Sequence, residues 1–201
     1  MKHLKSYKSY KIFENIQSDE EIHELCEKYK IKNYTINEDK SVDVDGDVYL
    51  RNLGLTKFPL KFRNVSGYFY CRYNKLTTLE GAPETVGGNF DCSWNNLTTL
   101  EGSPRRVNGS FDCSNNKNLM SLEGISPTIH GYFFCTGTPI YYFWKEFLNK
   151  DKSLIDSFVE EWDVIHKDTV IIEVLEGWME DNNINVDIDI EKIKSLGYKI
   201  G

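Results

Sequence analysis

Several things are scarce in this 201-residue sequence, and each scarcity closes a route. Histidine occurs four times, at His3, His23, His130 and His166, in unrelated stretches, which argues against a metal centre built on imidazole. The five cysteines contain no CxxC pair, so the common redox and zinc motifs are missing. Basic residues are outnumbered, 24 Lys and Arg against 31 Asp and Glu, and the net charge of −7 speaks against a nucleic-acid backbone or an anionic membrane as the main partner. No apolar run is long enough to span a bilayer, and the basic start Met1-Lys-His-Leu-Lys-Ser-Tyr-Lys8 leads into no apolar stretch, so no secretory signal is read there. The GxSxG signature of an activated serine is absent. Asp43-Val-Asp45-Gly46-Asp47 fails as a calcium loop, because its glycine falls fourth instead of sixth and Gly54 stands where the closing glutamate belongs. The expectation is a cytoplasmic, non-enzymatic protein without cofactor or metal.

What the sequence does contain is one phrase written four times. The copies run from Val65 to Pro83, Val86 to Pro104, Val107 to Pro127, and in truncated form from Ile129 to Ile140. Gly67, Gly88, Gly109 and Gly131 recur in step with Cys71, Cys92, Cys113 and Cys135, at intervals of 21, 21 and 22 residues. A period in this range marks a solenoid, in which each coil stacks only on its neighbours. Val44 to Pro59 reads as a degenerate first coil. Gly46 stands 21 before Gly67, Val48 and Leu50 replace Phe69 and Cys71, and Leu53 falls where an asparagine is expected. The array then has about five coils.

Within one coil, Phe69 and Cys71 are two apart and point to the same side of an extended segment, into the core. Tyr68, Tyr70 and Arg72 point outward. Asn74, Asn95 and Asn116 sit where the chain leaves the strand, and an amide there can satisfy backbone groups of its own coil and the next. Leu76 and Leu79 turn back inward, and Gly81 and Pro83 break any regular element. Stacking such coils makes one narrow parallel sheet.

Phe90-x-Cys92-x-x-Asn95-x-Leu97-x-x-Leu100 resembles the core of the leucine-rich repeat, LxxLxLxxNxL. The Gly- and Asn-rich wording, with Leu-Glu-Gly and then proline closing three of the coils, is similar to short repeat proteins of large bacterial viruses and some bacteria. That resemblance implies a binding scaffold without naming its partner. If the chain is viral, the compartment implied is the host cytoplasm. Some bacterial effectors join such repeats to a cysteine-dependent ubiquitin ligase, but no cysteine follows Cys135, so that activity does not carry over.

The fold class expected is α+β, a short leucine-rich-repeat-like solenoid between two caps. Residues 1–43 supply an arm, a helix opening at Ser18 before Asp19-Glu-Glu21, and a hairpin pairing Tyr34/Ile36 with Val42/Val44. Residues 44–140 form the solenoid. Residues 141–201 form a helical subdomain. Its helices are expected over Ile140 to Leu148, Ser153 to about Ile165, Asp168 to about Met179 and Asp189 to Leu196, the last stopped at Gly197.

Outward strand positions are where a repeat scaffold presents a binding surface. One outward column reads Tyr49, Tyr70, Asp91, Asp112, Phe134. Tyrosine, arginine and tryptophan dominate binding hot spots. The candidate partner-binding residues are therefore Tyr49, Arg51, Tyr68, Tyr70, Arg72, Tyr73, Asp91, Trp94, Asp112 and Phe134. The expected function is that of a protein-interaction module, a viral or bacterial factor that binds and inhibits or sequesters a host protein. Two alternatives are a scaffold holding a small ligand such as a nucleotide, and a structural component that self-assembles through the C-terminal helices.

Overall fold

The period of 21 residues sets two short extended segments per coil, one on each side of a shared core. In the computed structural model, which describes residues 18–141, 164–166, 168–184 and 187–201, the chain opens with helix α1, Asp19–Lys28. Strands β1, Tyr34–Ile36, and β2, Val42–Val44, follow. The solenoid strands then alternate between two sides. On one lie β4, Phe62–Val65, β6, Thr85–Val86, β8, Arg106–Val107, and β10, Thr128–Ile129. On the other lie β3, Val48–Tyr49, β5, Phe69–Tyr70, β7, Phe90–Asp91, β9, Phe111–Asp112, and β11, Phe133–Phe134. The result is a β-solenoid of about four turns, faced by a six-stranded sheet ordered β1-β2-β4-β6-β8-β10 and a five-stranded sheet ordered β3-β5-β7-β9-β11.

The expectation of a single sheet is thus corrected to two. The second one escapes the sequence pattern because three of its six strands bury a single side chain each, Val86, Val107 and Ile129, where each later segment of the first repeats an inward pair such as Phe69 and Cys71. The two sheets meet at the glycine column. Gly88 N donates to Gly67 O at 2.8 Å, and Gly109 N donates to Gly88 O at 2.9 Å. A Cβ on Gly109 would lie 2.8 Å from that same carbonyl oxygen, so only glycine lets adjacent coils close at this corner.

Between the sheets the core is a set of ladders. Phe69, Phe90, Phe111 and Phe133 stack with ring centres 5.6, 5.0 and 5.8 Å apart. Val48 carries no ring in the first coil, and there Phe58 and Phe62 meet Phe69 edge-on at 5.5 and 5.1 Å, closing the aromatic stack. Cys71, Cys92, Cys113 and Cys135 run beside the rings as buried free thiols, and burial pushes the first three well above the usual thiol range and Cys135 up to about 12. These thiols are apolar filling.

Asn74, Asn95 and Asn116 form the third ladder, with a correction of direction: each reaches its own coil and the preceding one. Asn95 Nδ2 donates to Cys92 O at 3.0 Å and to Cys71 O at 3.1 Å, while its Oδ1 accepts from Leu76 N at 3.0 Å. Asn74 serves Leu53 N and Leu55 N in the same way, both at 3.0 Å. The first coil therefore turns without an asparagine of its own, and Leu53 at that position costs nothing.

At the N-terminal end α1 is closed by a capping box between Ser18 and Glu21. The hairpin lays β1 antiparallel on β2 at the edge of the six-stranded sheet, and β2 runs parallel to β4. Lys61 reaches Asp39 at 2.7 Å, and Arg63 forks onto Asp43. Both carboxyls are held below the usual carboxylate range, chiefly by hydrogen bonds from Lys61 and from Arg63. A lowered folded pKa is stability present above the unfolded value near 3.9 and lost as pH falls through the folded one. On acidification below about pH 4 the hairpin amides of residues 34–44 are expected to lose hydrogen-exchange protection before those of β7 and β9.

The C-terminal region is corrected as well. Its described residues include a small sheet of β12, Ile165–His166, β13, Thr169–Val170, and β14, Lys199–Ile200, beside helices α2, Ile172–Asp181, and α3, Ile190–Ser195. Two-residue strands explain why a purely helical reading fails: Ile165 and the start of the Asp168 segment are extended. The helix expected over Ile140 to Leu148 lies outside the described residues from position 142 onward, as does the one from Ser153 up to position 163. Tyr198 is buried, and its Oη donates to Met120 O at 2.7 Å, which ties the last strand's approach to the fourth coil.

Candidate functional site

The outer face of the five-stranded sheet carries the candidate residues. Strand pairing sets Tyr49 beside Tyr70, Tyr70 beside Asp91, Asp91 beside Asp112 and Asp112 beside Phe134, so the outward column is continuous in space. Parallel register produces this: one residue of slip would send the column into the core.

Around the column the aromatic side chains gather in two groups. In the first coils Tyr70 packs against Tyr49 at 5.7 Å and lies stacked on Tyr68 at 5.5 Å, while Tyr73 stacks on Trp94 at 5.4 Å. Arg51 approaches the Tyr49 ring at 5.9 Å, and Arg72 approaches the Tyr73 ring at 5.7 Å. At the far end Phe134 meets Tyr132, centres 6.0 Å apart. Tyr132 is the most exposed large apolar residue of the strip at 75%, and the candidate set omitted it although it stands on an outward strand position.

Between the two groups lie the acids, and they hold the backbone. Asp91 Oδ1 accepts from Ser93 N at 3.0 Å and from Ser93 Oγ at 2.6 Å, and Asp112 Oδ1 accepts from Ser114 N at 2.8 Å. Burial pushes the Asp91 carboxyl up, against those hydrogen bonds, which hold it down. Arg72 Nη1 stands 3.6 Å from Asp91 Oδ2, a loose pairing, and Arg72 Nε is buried without an acceptor among the described residues.

Sequence reasoning also missed the backbone of Tyr73 and Trp94. Both are left-handed, with φ of 57° and 55°. The equivalent residues of the other coils are Asn52, Asn115 and Gly137, types that accept this conformation readily. Aligning the repeats puts two bulky rings in a column otherwise of asparagine and glycine, and that contrast was available in the sequence. Such strain, of order 1–3 kcal/mol per residue, persists only where the surroundings enforce it, and it clusters at functional sites.

The second sheet presents another outward column: Thr35, Asp43, Asn64, Thr85, Arg106 and Thr128. Ser66, Gly87 and Asn108 are among the residues that line a shallow depression there. It was not anticipated, because its sheet was not.

Among the described residues no three His, Cys, Asp or Glu side chains converge as metal ligands, and no helix is long and apolar enough to cross a membrane. Comparison with protein-family models, with curated proteins and with solved structures finds no match for this chain.

Proposed function

We propose that this chain is a binding scaffold that docks a protein partner on the outer face of its five-stranded sheet. The observation that carries the reading is the aligned column with its strained, exposed aromatic neighbours. Tyr49, Tyr73 and Trp94 are each close to half exposed. Four inter-strand steps at about 4.8 Å make the strip roughly 19 Å long and flat, the scale of a protein contact more than of one small ligand. Rigid aromatic anchors beside arginines, around half-buried acids, match the composition of interface hot spots. The outcome proposed is inhibition or sequestration of the partner, the chain acting as a viral or bacterial factor on a host protein. The leucine-rich-repeat likeness of the second copy fits that role.

The test is capture by the immobilised full chain, followed by identification of what is held and titration of it. Combined Tyr49→Ser, Tyr70→Ser and Trp94→Asn is expected to weaken binding of the identified partner at least tenfold, on the order of one hot spot lost, with a cooperative thermal transition retained. Wild-type affinity in that variant would contradict the placement.

A further inference from the structure

A cation that one coil carries on this face is missing from the next. In the earlier one, the Arg72 guanidinium carbon lies 5.7 Å from the centre of the Tyr73 ring, and Nη1 is 3.6 Å from Asp91 of the next strand. Advancing each of these residues by 21 positions gives Ser93, Trp94 and Asp112. The ring becomes larger, the acid is kept and the cation is gone. Arg51 repeats the theme one coil earlier, 5.9 Å from the Tyr49 ring. Exposed rings of this strip thus take a guanidinium from their own chain twice. Among the described residues no Lys or Arg lies over Trp94, and Asp112 forms no ion pair.

Three further observations converge on the same spot. Tryptophan is the strongest cation acceptor among the aromatic side chains. It is held at φ 55°, where the flanking coil has Asn115, and its indole is fixed by stacking on Tyr73 at 21° between planes while 46% of the residue stays exposed. The Asp112 carboxylate, which corresponds by repeat to the acid facing Arg72, has Oδ1 committed to Ser114 N and carries no ion pair on Oδ2 among the described residues.

We infer that Trp94 and Asp112 together receive an arginine side chain of the partner, its guanidinium taking beside Trp94 the place that Arg72 takes beside Tyr73. This deepens the reading of the strip as a protein-docking face and rests on it. Arginine fits better than lysine because a planar guanidinium can stack on the indole and still donate two N–H groups to a carboxylate. The net charge of −7 favours a basic partner segment.

The experiment uses the full chain with ¹⁵N-labelled tryptophan and three peptides: acetyl-Gly-Arg-Gly-amide, its lysine counterpart, and its citrulline counterpart, which keeps the shape and drops the charge. Trp94 is one of four tryptophans, and its indole N–H signal is assigned with Trp94→Phe. At peptide concentrations to about 200 mM and constant ionic strength, the range set by a cation–π contact of about 0.5–2 kcal/mol with an exposed ion pair of up to about 1, the arginine peptide is expected to move that signal toward saturation. The lysine and citrulline peptides should bind severalfold and about tenfold more weakly. Ser93→Arg, which supplies the missing cation from within, should weaken the arginine peptide about tenfold. Asp112→Asn, which retains the oxygen that Ser114 N needs, should weaken it severalfold and carries the test if Ser93→Arg does not fold. An unmoved Trp94 signal, equal binding of the citrulline peptide, or arginine binding undiminished in both variants overturns the inference. Should that happen while partner capture still fails in the Tyr49, Tyr70 and Trp94 variant, the docking face stands and only the arginine assignment falls. Arginine binding together with capture that ignores that variant would instead overturn the docking face.

Discussion

Phe90→Ala is expected to lower the stability of the solenoid by about 3–5 kcal/mol, the range for removing a buried phenylalanine. Phe90 is fully buried, with the Phe69 ring 5.6 Å away on one side and the Phe111 ring 5.0 Å away on the other. The gap cannot collapse readily, because backbone bonds hold the flanking strands: Phe69 N to Asn89 O and Phe90 N to Ser110 O, both at 2.9 Å. The neighbours would have to shear two hydrogen-bonded sheets to fill it, so the cavity term stays in the measured cost. Urea denaturation read by circular dichroism checks this. A loss under about 1 kcal/mol would mean that the coil packs more loosely than the stacked rings imply.

Asn95→Ala is expected to cost about 2–4 kcal/mol for a different reason. One amide spans two coils: Oδ1 takes the Leu76 N–H at 3.0 Å, and Nδ2 gives to Cys92 O at 3.0 Å and Cys71 O at 3.1 Å. Alanine leaves the Leu76 N–H buried and unpaired, while Cys71 O keeps Asn74 Nδ2 at 2.9 Å and Cys92 O keeps Asn116 Nδ2 at 3.1 Å. The orphaned donor costs about 1–3 kcal/mol and each second bond lost at a carbonyl about 0.5–1.5, so a total near 2–4 kcal/mol is expected. Asn95→Asp separates the hydrogen bonds from mere volume. It keeps an acceptor for Leu76 N but loses the donors and buries a charge, so its folded pKa must rise. A raised carboxyl pKa makes the variant recover stability as pH falls, the opposite of the hairpin acids Asp39 and Asp43. Parallel urea titrations near neutral pH and at mildly acidic pH read the difference directly.

These two residues mark what was legible. A period of 21 with glycine, cysteine and asparagine in phase is strong evidence for stacked coils, since a repeat that cannot bury its own apolar face must lean on its copies. Phe69 and Cys71 were assigned inward from strand alternation, Leu76 and Leu79 as turning back inward after the asparagine, and all four are buried. The outward column followed from the same alternation, and strand pairing sets it in line. The second sheet was not legible, because a strand such as Thr128–Ile129 buries one side chain, Ile129, with no second inward residue two places on as Cys71 follows Phe69. The C-terminal strands Thr169–Val170 and Lys199–Ile200 escaped because they lie beside segments with helical spacing. The candidate site was legible as a set of positions, whereas its strain was not. Nothing local in Tyr73 or Trp94 announces φ above 50°; only the asparagines and the glycine in the same column do.

The coupling between fold and face explains why the register matters for function. The turn that Asn95 closes also carries Trp94, and the carboxylate that holds Ser93 in that turn is the acid facing Arg72. The proposed binding strip is therefore built on the same hydrogen bonds that fasten one coil to the next, and its spacing is dictated by the core.

That spacing can be observed directly by nuclear Overhauser spectroscopy of the full chain. Ring protons of Phe69, Phe90, Phe111 and Phe133 should connect in a single file, and backbone protons of Tyr49, Tyr70, Asp91, Asp112 and Phe134 should connect in the matching order, each step joining residues one repeat apart. Contacts displaced by one residue along the strands, or none between successive phenylalanines, would place the outward column elsewhere and leave the proposed face without its foundation.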